Sequence, residues 1–397
     1  SVAINAFLIN EFIPLINHYE SYWELKHWVR KNILRKVTVD FHKVYTSNKY
    51  TINPISFSSN ESKFNFKDII KNNELIGYQN LLKEQLIKNF ILNKIKNSDL
   101  NIKVDSVFQK SSYSIQKISF QTQENIYVPA YILTPNNVSP PWNAVLVSHG
   151  CGYGKAGVVG IIDDIHNSIG IDLVKSGYLV LVPDRRGFGE FQPVAHYIEP
   201  SCGRDKIDGR ILLERDTQSF FQTNNRSMDV NDMLIALDYL YHRSDVDNIG
   251  IIGLSGGGVV ASYVTGISDK VNSLVLSNSF AYFEEFDTNK VIMSSSELST
   301  YTYPRTPNQK LKFYESNQAY GNFNKNIDNM YLTPLALLPN CPLLIQFGEN
   351  DQVSKKTRDK VINYIKAIYS RFKSEDLLEI SIESGRSHEF VSPSIIN

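Results

Sequence analysis

The sequence of 397 residues is poor in cysteine, carries no excess charge of either sign and has no long apolar run. Lysine and arginine together number 41, as do aspartate and glutamate, so the formal net charge is zero. A nucleic-acid surface requires a strong basic excess, and we therefore expect no nucleic-acid partner. The apolar runs, such as Tyr178 to Pro183, are far shorter than the roughly 20 residues that cross a bilayer, so we expect no membrane association either.

The three cysteines, Cys151, Cys202 and Cys341, are odd in number and far apart. This pattern is not that of a disulfide framework, and no pair has the spacing of zinc ligands. The residues Ser1 to Ile4 show no basic segment before the apolar stretch and no cleavage site of a secretory signal. We therefore expect a cytoplasmic protein without a bound metal.

Residues 1–109 differ in composition from the rest, because they are rich in asparagine, lysine and isoleucine and contain few glycines. Within them, Tyr78 to Lys96 carries apolar residues at helical spacing. We expect a helical N-terminal extension packed on a main domain that comprises residues 110–397.

The main domain begins with two alternating segments, Tyr113 to Gln121 and Ile126 to Leu133, which predict a strand pair. Short apolar strands then alternate with amphipathic helices up to a last predicted strand at Leu377 to Ile382. This alternation of strands and helices predicts an α/β fold with a mostly parallel, doubly wound sheet and helices on both faces. Residues 278–340 interrupt it and are rich in aromatic side chains. They are either a cap over a binding site or an ordinary subdomain.

A G-x-S-x-G string, Gly253-Leu254-Ser255-Gly256-Gly257, lies between a predicted strand and a predicted helix. A serine in such a turn sits on a strained backbone that lifts its hydroxyl above the sheet, at a helix N-terminus that favours negative charge. A dinucleotide-binding loop shares this richness in glycine. It fits poorly here, because the loop follows a late strand and no acidic residue ends the next strand. The context indicates that Ser255 is a nucleophile.

A serine nucleophile needs a base, and the base needs an acid that orients it. Asp351 follows the predicted strand Leu343 to Phe347, and His388 follows the last predicted strand. The order serine, acid, histidine is that of hydrolases with this string. Glu349, two residues before Asp351, is the alternative acid.

The glycine-rich loop Ser148 to Gly154 follows an early predicted strand, where backbone N–H groups can stabilise an oxyanion. We assign the two donors to the amides of Gly256 and Cys151, with Gly152 as the alternative to Cys151. The Cys151 thiol is expected to be a bystander, and His149 to be a structural hydrogen-bonding residue.

Further along the chain, the loop Asp184 to Glu190 also follows a predicted strand. Gly152, Tyr153 and Arg185 are candidate substrate contacts. Arg185 or Arg186 either holds a substrate carboxylate or forms an ordinary salt bridge. Asp232 is expected to make a structural hydrogen bond.

Several of these strings resemble one known group. They are His149-Gly150-Cys151-Gly152-Tyr153-Gly154-Lys155, Pro183-Asp184-Arg185-Arg186-Gly187-Phe188-Gly189-Glu190 and Ser387-His388-Glu389-Phe390, together with the string around Ser255. The resemblance is to the acetyl xylan esterase and dienelactone-hydrolase-like branch of the α/β-hydrolases, and it covers about residues 110 to 395. It implies an α/β-hydrolase fold for residues 110–397. Members of this branch cleave sugar acetates, other carboxylic esters, peptides and, in some cases, carbon–carbon bonds.

The sequence thus predicts a cofactor-free serine hydrolase that cleaves a carboxylic ester, or a related acyl bond, of a small molecule. Ser255, His388 and Asp351 would form the triad, and the reaction would pass through an acyl-enzyme. A peptidase, an acyltransferase or a carbon–carbon hydrolase of secondary metabolism could use the same triad. A catalytically silent binding protein of this fold is a further alternative. A homodimer is left open.

Overall fold

The computed structural model describes residues 79–80, 83–84, 87, 100–123, 126–186, 188–191, 225–279, 333–351 and 355–396. In this part of the chain nine strands form one sheet, in the order β1-β2-β3-β5-β4-β6-β7-β8-β9. Their bounds are Lys103–Gln109 (β1), Tyr113–Gln123 (β2), Ile126–Pro135 (β3), Trp142–Ser148 (β4), Leu179–Pro183 (β5), Val246–Leu254 (β6), Ser273–Ser277 (β7), Leu343–Gly348 (β8) and Leu378–Glu383 (β9).

The sheet has an antiparallel edge and a parallel centre. Strands β1, β2 and β3 pair antiparallel with one another, and β3 pairs antiparallel with β5. From β5 onward every pairing in the order is parallel. Because parallel strands share one direction, the carboxyl ends of β4 to β9 meet at the same edge of the sheet, where such folds place their ligands.

Helices cover both faces of this sheet. Six α-helices are described, namely Lys155–Val158 (α1), Ile169–Lys175 (α2), Asn225–Tyr241 (α3), Gly256–Ile267 (α4), Lys355–Arg371 (α5) and Ser392–Ile396 (α6). The apolar core of α3, α4 and α5 contains Leu179 and Leu181 of β5, whereas the core of α2 contains Val180 and Val182 of the same strand. Successive side chains of a strand point to opposite faces. The predicted α/β, doubly wound architecture is therefore confirmed.

One helix starts later than its sequence predicts. Apolar spacing places the start near Ile165, but α2 begins at Ile169. Asn167 and Ser168 have φ angles of 50° and 55°, in the left-handed region that no α-helix interior uses.

Strand β1 is absent from the sequence prediction because it is exposed at almost every position and shows no apolar alternation.

The predicted N-terminal extension lies largely outside the described residues. Gln79, Lys83 and Ile87 are helical, in agreement with the helix expected in this range. The Gln79 side chain donates to the carbonyl of Ala336 at 2.7 Å, and Ile87 packs against the main core. None of the helices in the described ranges is long and apolar enough to span a membrane.

The predicted cap is described only at its two ends. Asn278 and Ser279 are buried at the end of β7, and residues 280–332 lie outside the described part of the chain. At the other end, Leu335, Ala336 and Leu338 are buried in the main core. A cap therefore stays a prediction, and the last residues of the 278–340 range belong to the packing of the main domain.

Candidate active site

Ser255 lies in a tight turn between β6 and α4 and has a φ angle of 54° and a ψ angle of −125°. An L-residue rarely adopts a positive φ, so the turn stores strain. The turn is held by the Ser255 N–H, which donates to the carbonyl of Ser277 at 2.9 Å, and by the Gly258 N–H, which donates to the carbonyl of Ser255 at 3.0 Å. The serine thus occupies the start of α4, where the helix dipole favours a developing anion.

Asp351 and His388 follow β8 and β9, so they lie at the same sheet edge as Ser255. The His388 Nδ1 and the Asp351 Oδ1 are 3.0 Å apart. The Asp351 side chain is fully buried and that of His388 is 11% exposed. A carboxylate at Nδ1 fixes the ring and leaves Nε2 to accept a proton.

The alternative acid, Glu349, binds elsewhere. Its carboxylate accepts hydrogen bonds from the Ser384 hydroxyl and the Gly385 N–H, both at 2.9 Å. These bonds, led by the one from Gly385, lower the pKa of Glu349 below its ordinary value. Of the two candidate acids, Asp351 is therefore the one that contacts the histidine.

Two buried histidines hold the loop after β4. The Gly150 N–H donates to His166 Nε2 at 2.9 Å, and His149 Nδ1 lies 2.8 Å from the Gly150 carbonyl. Because His149 Nε2 accepts from the Arg185 N–H at 2.9 Å, its proton must sit on Nδ1 and point at that carbonyl. In a planar trans peptide, the Cys151 N–H then points the opposite way. Its direction is therefore fixed by His149.

Both histidines must be neutral to accept these backbone hydrogen bonds. Burial, with a smaller contribution from Arg185, holds the pKa of His149 well below its ordinary value of 6.5. His166 Nδ1 lies 2.7 Å from Asp164 Oδ1, and Asp164 Oδ2 accepts the Tyr153 N–H at 3.0 Å. Burial alone would raise the pKa of Asp164, but the bonds from His166 and Tyr153 bring it below its ordinary value. The loop is thus supported on both sides of Gly150.

Arg185 lies beside the serine turn, since a Cβ added at Gly256 would be 3.4 Å from its Nη1. Its guanidinium binds Asp229, with Nη2 and Oδ2 2.9 Å apart, and donates to the His149 carbonyl at 3.1 Å. Its charge is therefore compensated within the protein, and its role as a substrate contact stays a prediction.

Arg186 makes a two-pronged ion pair with Asp232, at 2.7 and 2.9 Å. Both side chains are almost fully buried. This contact agrees with the structural role expected for Asp232. Of the two outcomes expected for an arginine here, the salt bridge is the one observed.

A third buried cluster joins this loop region to the strand β5. The Lys155 N–H donates to Asp184 Oδ1 at 2.8 Å, and the Lys155 Nζ binds both Asp184 Oδ2 and, at 2.7 Å, Glu190 Oε1. Burial would lower the pKa of Lys155, but the two carboxylates raise it above its ordinary value, so the ammonium stays charged. The start of α1 is thereby tied to the loop after β5.

Cys151 is disulfide-bonded, whereas Cys341 is free. The prediction that the cysteines form no disulfide is therefore wrong for Cys151. Distance along the chain carries no information on distance in space, which decides whether two cysteines can pair. The cysteine content consequently no longer argues for a reducing compartment.

The other candidate loop residues, Gly152 and Tyr153, are half-buried. Gly152 has a φ angle of 131°, and a Cβ there would strike the Asp164 carboxylate. No group of three or more histidine, cysteine or acidic side chains in the described ranges could hold a metal ion.

Sequence reasoning missed His166, Asp164, Lys155 and Asp229 as parts of this site. His166 and Asp229 lie in segments that were interpreted only for their apolar spacing, and Lys155 was noted only as the end of a string that resembles a known family. Their burial would have been the signal, since charged residues are rarely buried unless they are paired.

Comparisons with known proteins place these features in a family. The model of the Abhydrolase family matches residues 38–258, which is more than half of the chain and includes the loop after β4 and the Ser255 turn. The chain belongs to this abhydrolase family. Asp351 and His388 lie beyond the matched range.

A curated relative of this abhydrolase is the Bacillus subtilis (strain 168) protein named "Putative hydrolase YtaP". It is 33% identical over 154 residues, which is 37% of this chain and 46% of the relative. The match therefore spans about half the length of that protein.

Two solved structures share the fold. One is titled as a putative acetyl xylan esterase from Bacteroides fragilis NCTC 9343, with 16% identity, a TM-score of 0.57, and 86% of this chain and 81% of that chain covered. The other is named Methylesterase BT1017, with 16% identity, a TM-score of 0.52, and 84% and 63% covered. At this identity the likeness concerns the fold. Together with the family match, it makes the chain an α/β-hydrolase.

Proposed function

We propose that this abhydrolase cleaves a carboxylic ester of a small molecule by nucleophilic catalysis at Ser255. The observation that carries the proposal is the 3.0 Å contact between His388 Nδ1 and Asp351 Oδ1, at the sheet edge that also holds the strained serine. A histidine oriented by a buried carboxylate, near a serine at a helix N-terminus, is the arrangement that acyl transfer requires.

In the proposed reaction the Ser255 hydroxyl attacks the acyl carbonyl while His388 Nε2 takes its proton. Asp351 holds the ring and stabilises the imidazolium that forms. His388 then gives the proton to the leaving alcohol, which departs and leaves an acyl-enzyme. Water attacks that ester with His388 again acting as the base, and Ser255 is regenerated.

The oxyanion of each tetrahedral intermediate would be bound by the N–H groups of Gly256 and Cys151. Gly256 is the first residue of α4, so its N–H lies at the positive end of the helix dipole. The Cys151 N–H is oriented by the fixed Gly150 carbonyl, as described above. Loss of one such donor lowers kcat by about 10²- to 10³-fold in well-studied hydrolases.

An ester is favoured over an amide as the scissile bond because the two solved structures described above are named as esterases. Their names do not transfer a substrate to this chain. A peptidase, an acyltransferase and a carbon–carbon hydrolase would all use the same three side chains. They differ in the acceptor or in the bond cleaved, which kinetics can separate.

The test is a screen of p-nitrophenyl esters with acyl chains of different length and aromaticity, together with labelling by a fluorophosphonate. Wild type should label and hydrolyse at least one ester, and Ser255→Ala should do neither. Ser262→Ala is a matched control, because Ser262 is a buried serine of the same helix whose hydroxyl bonds only to the backbone of Val259 in the described contacts. Failure of wild type both to label and to cleave any ester would refute the proposal.

Added alcohols or amines distinguish hydrolysis from acyl transfer. A hydrolase yields free acid at a rate that the acceptor does not change. If most of the acyl group instead appears on the acceptor at millimolar concentration, the chain is an acyltransferase.

A further inference from the structure

The carboxyl end of β7 contacts the loops of all three proposed triad residues. The carbonyl of Ser277 accepts the N–H of Ser255 at 2.9 Å. The next residue, Asn278, is buried, with 1% of its surface exposed, and has a φ angle of 48°. Asn278 has no place in the reaction as described above, yet its side chain contacts the backbone near both the acid and the base.

The Asn278 amide binds the acid loop with one atom and the base loop with the other. Its Oδ1 accepts the N–H of Gly348, three residues before Asp351, at 2.8 Å. Its Nδ2 donates to the carbonyl of Glu389 at 2.9 Å, and the carbonyl of Ser387 lies 3.5 Å away. Ser387 and Glu389 are the two neighbours of His388. One planar side chain therefore spans the gap between the loops that carry Asp351 and His388.

The loops also meet through backbone hydrogen bonds on the N-terminal side of His388. The Glu349 N–H donates to the Glu383 carbonyl at 2.9 Å, and the Asn350 N–H donates to the Arg386 carbonyl at 2.8 Å. These bonds fix where the base loop begins. Asn278 holds the loop just after the histidine, where the Ser277 hydroxyl also donates to the Glu389 carbonyl, at 3.2 Å.

We propose that Asn278 is a positioning residue, which sets the distance between the Asp351 loop and the His388 loop so that acid and base stay hydrogen-bonded. This role rests on the proposed function of the triad. A neutral amide is required, because the side chain must accept on one side and donate on the other. Asparagine also tolerates the positive φ better than most L-residues.

Three substitutions separate the parts of this role. Asn278→Gly keeps the backbone conformation and removes both hydrogen bonds. Asn278→Asp keeps the acceptor for Gly348 and sets a carboxylate against the carbonyl of Glu389. Asn272→Ala is the control: it removes an amide acceptor, for the Ile249 N–H at 2.8 Å, near the opposite end of the same strand.

The experiment measures kcat and KM for an activated ester across pH, and the rate of fluorophosphonate labelling. Asn278→Gly should lower kcat and the labelling rate by about 10- to 100-fold, the scale of a misplaced catalytic group, with KM changed by less than about threefold. The acid limb of its pH profile should move to lower pH, because a weakened contact with Asp351 stabilises the protonated histidine less. Asn272→Ala should leave the profile unchanged.

A double substitution tests whether Asn278 acts through the acid–base pair. In an Asp351→Asn background, the further change Asn278→Gly should lower kcat much less than it does in wild type. The reason is that the contact between Asp351 and His388, which Asn278 preserves in wild type, is already altered. Equal effects in both backgrounds would overturn the proposal.

Failure of the two proposals gives different results. If wild type does not label, the function proposed for Ser255 is wrong. If wild type labels and Asn278→Gly or Asn278→Asp labels at the wild-type rate with an unchanged pH profile, only the role of Asn278 is wrong. If Asn278→Gly does not fold, Asn278→Asp decides alone, since it preserves the acceptor and the size of the side chain.

Discussion

Gly257→Ala should abolish most of the proposed activity, because the second residue of α4 packs directly on the loop that carries the proposed oxyanion donor Cys151. A Cβ at this position would lie 2.7 Å from the carbonyl carbon of His149, and closer still to the carbonyl oxygens of Ser148 and His149. Ordinary contact begins at 3.4 Å, so at least about 0.7 Å must be gained by movement. The obstructing atoms belong to the backbone and cannot turn away.

The loop resists that movement because His166 and Arg185 hold it through the bonds described above. Overpacking of this kind costs about 1–3 kcal/mol of unfolding free energy. Any shift that does occur displaces the Cys151 N–H, so we expect kcat to fall by about 10²- to 10³-fold with little change in KM. Thermal unfolding and steady-state kinetics with an activated ester measure the two effects.

Gly250→Ala, in β6, is the matched control. There the nearest atom to an added Cβ is the Ser273 hydroxyl at 3.0 Å, and this exposed side chain can rotate. The control should keep wild-type kcat and stability. Wild-type kcat and an unchanged melting temperature in Gly257→Ala would refute the packing argument.

Three further predictions concern the buried polar groups. The side chain in His166→Gln retains an acceptor near the position of Nε2 for the Gly150 N–H, whereas the shorter one in His166→Asn does not. We therefore expect the kcat of His166→Gln to be about tenfold higher than that of His166→Asn. Equal kinetics would contradict the role of the bond between His166 and Gly150. Because the pKa of His149 is lowered in the fold, the unfolded chain binds a proton at this residue below about pH 6.5 and the folded chain does not. The contribution of neutral His149 to the free energy of unfolding is therefore complete above that pH. It falls by up to about 1.4 kcal/mol per pH unit as the pH decreases. Melting temperatures at pH 7.5 and 5.5 should therefore differ less in His149→Gln than in wild type, and an identical difference would exclude this origin. Lys155→Met leaves Asp184 buried without its cation and should cost about 3–5 kcal/mol in denaturant unfolding; a loss below about 1 kcal/mol would show that the pair is dispensable.

The elements that could be predicted from the sequence are those with a local signal. Strands β4 to β9 are short apolar runs, and the helices between them repeat apolar residues at helical spacing. The three triad candidates each follow a predicted strand, so a parallel sheet brings them to one edge. The boundaries of the elements were less predictable, as α2 shows. The positive φ angles at Asn167 and Ser168 do not change the spacing of apolar residues from which the helix was predicted.

The supporting residues could not be predicted because their partners are distant in sequence. His166 is 16 residues from Gly150, and Asp184 is 29 residues from Lys155. Asn278 binds groups about 70 and 110 residues away. No spacing rule links such positions, so only the folded chain identifies the pairs. The disulfide at Cys151 could not be predicted for the same reason.

The contact between Gly348 and the base loop limits how such an enzyme can be rebuilt. A Cβ at Gly348 would lie 2.7 Å from the carbonyl oxygen of Arg386, so the two loops fit only with glycine at this place. If the His388 loop were replaced by the corresponding loop of another hydrolase, without the matching end of β8, the two backbones would not be complementary in shape. In laboratory recombination the last two strands should therefore be inherited as one block, and crossover points between them should yield folded but inactive chimeras.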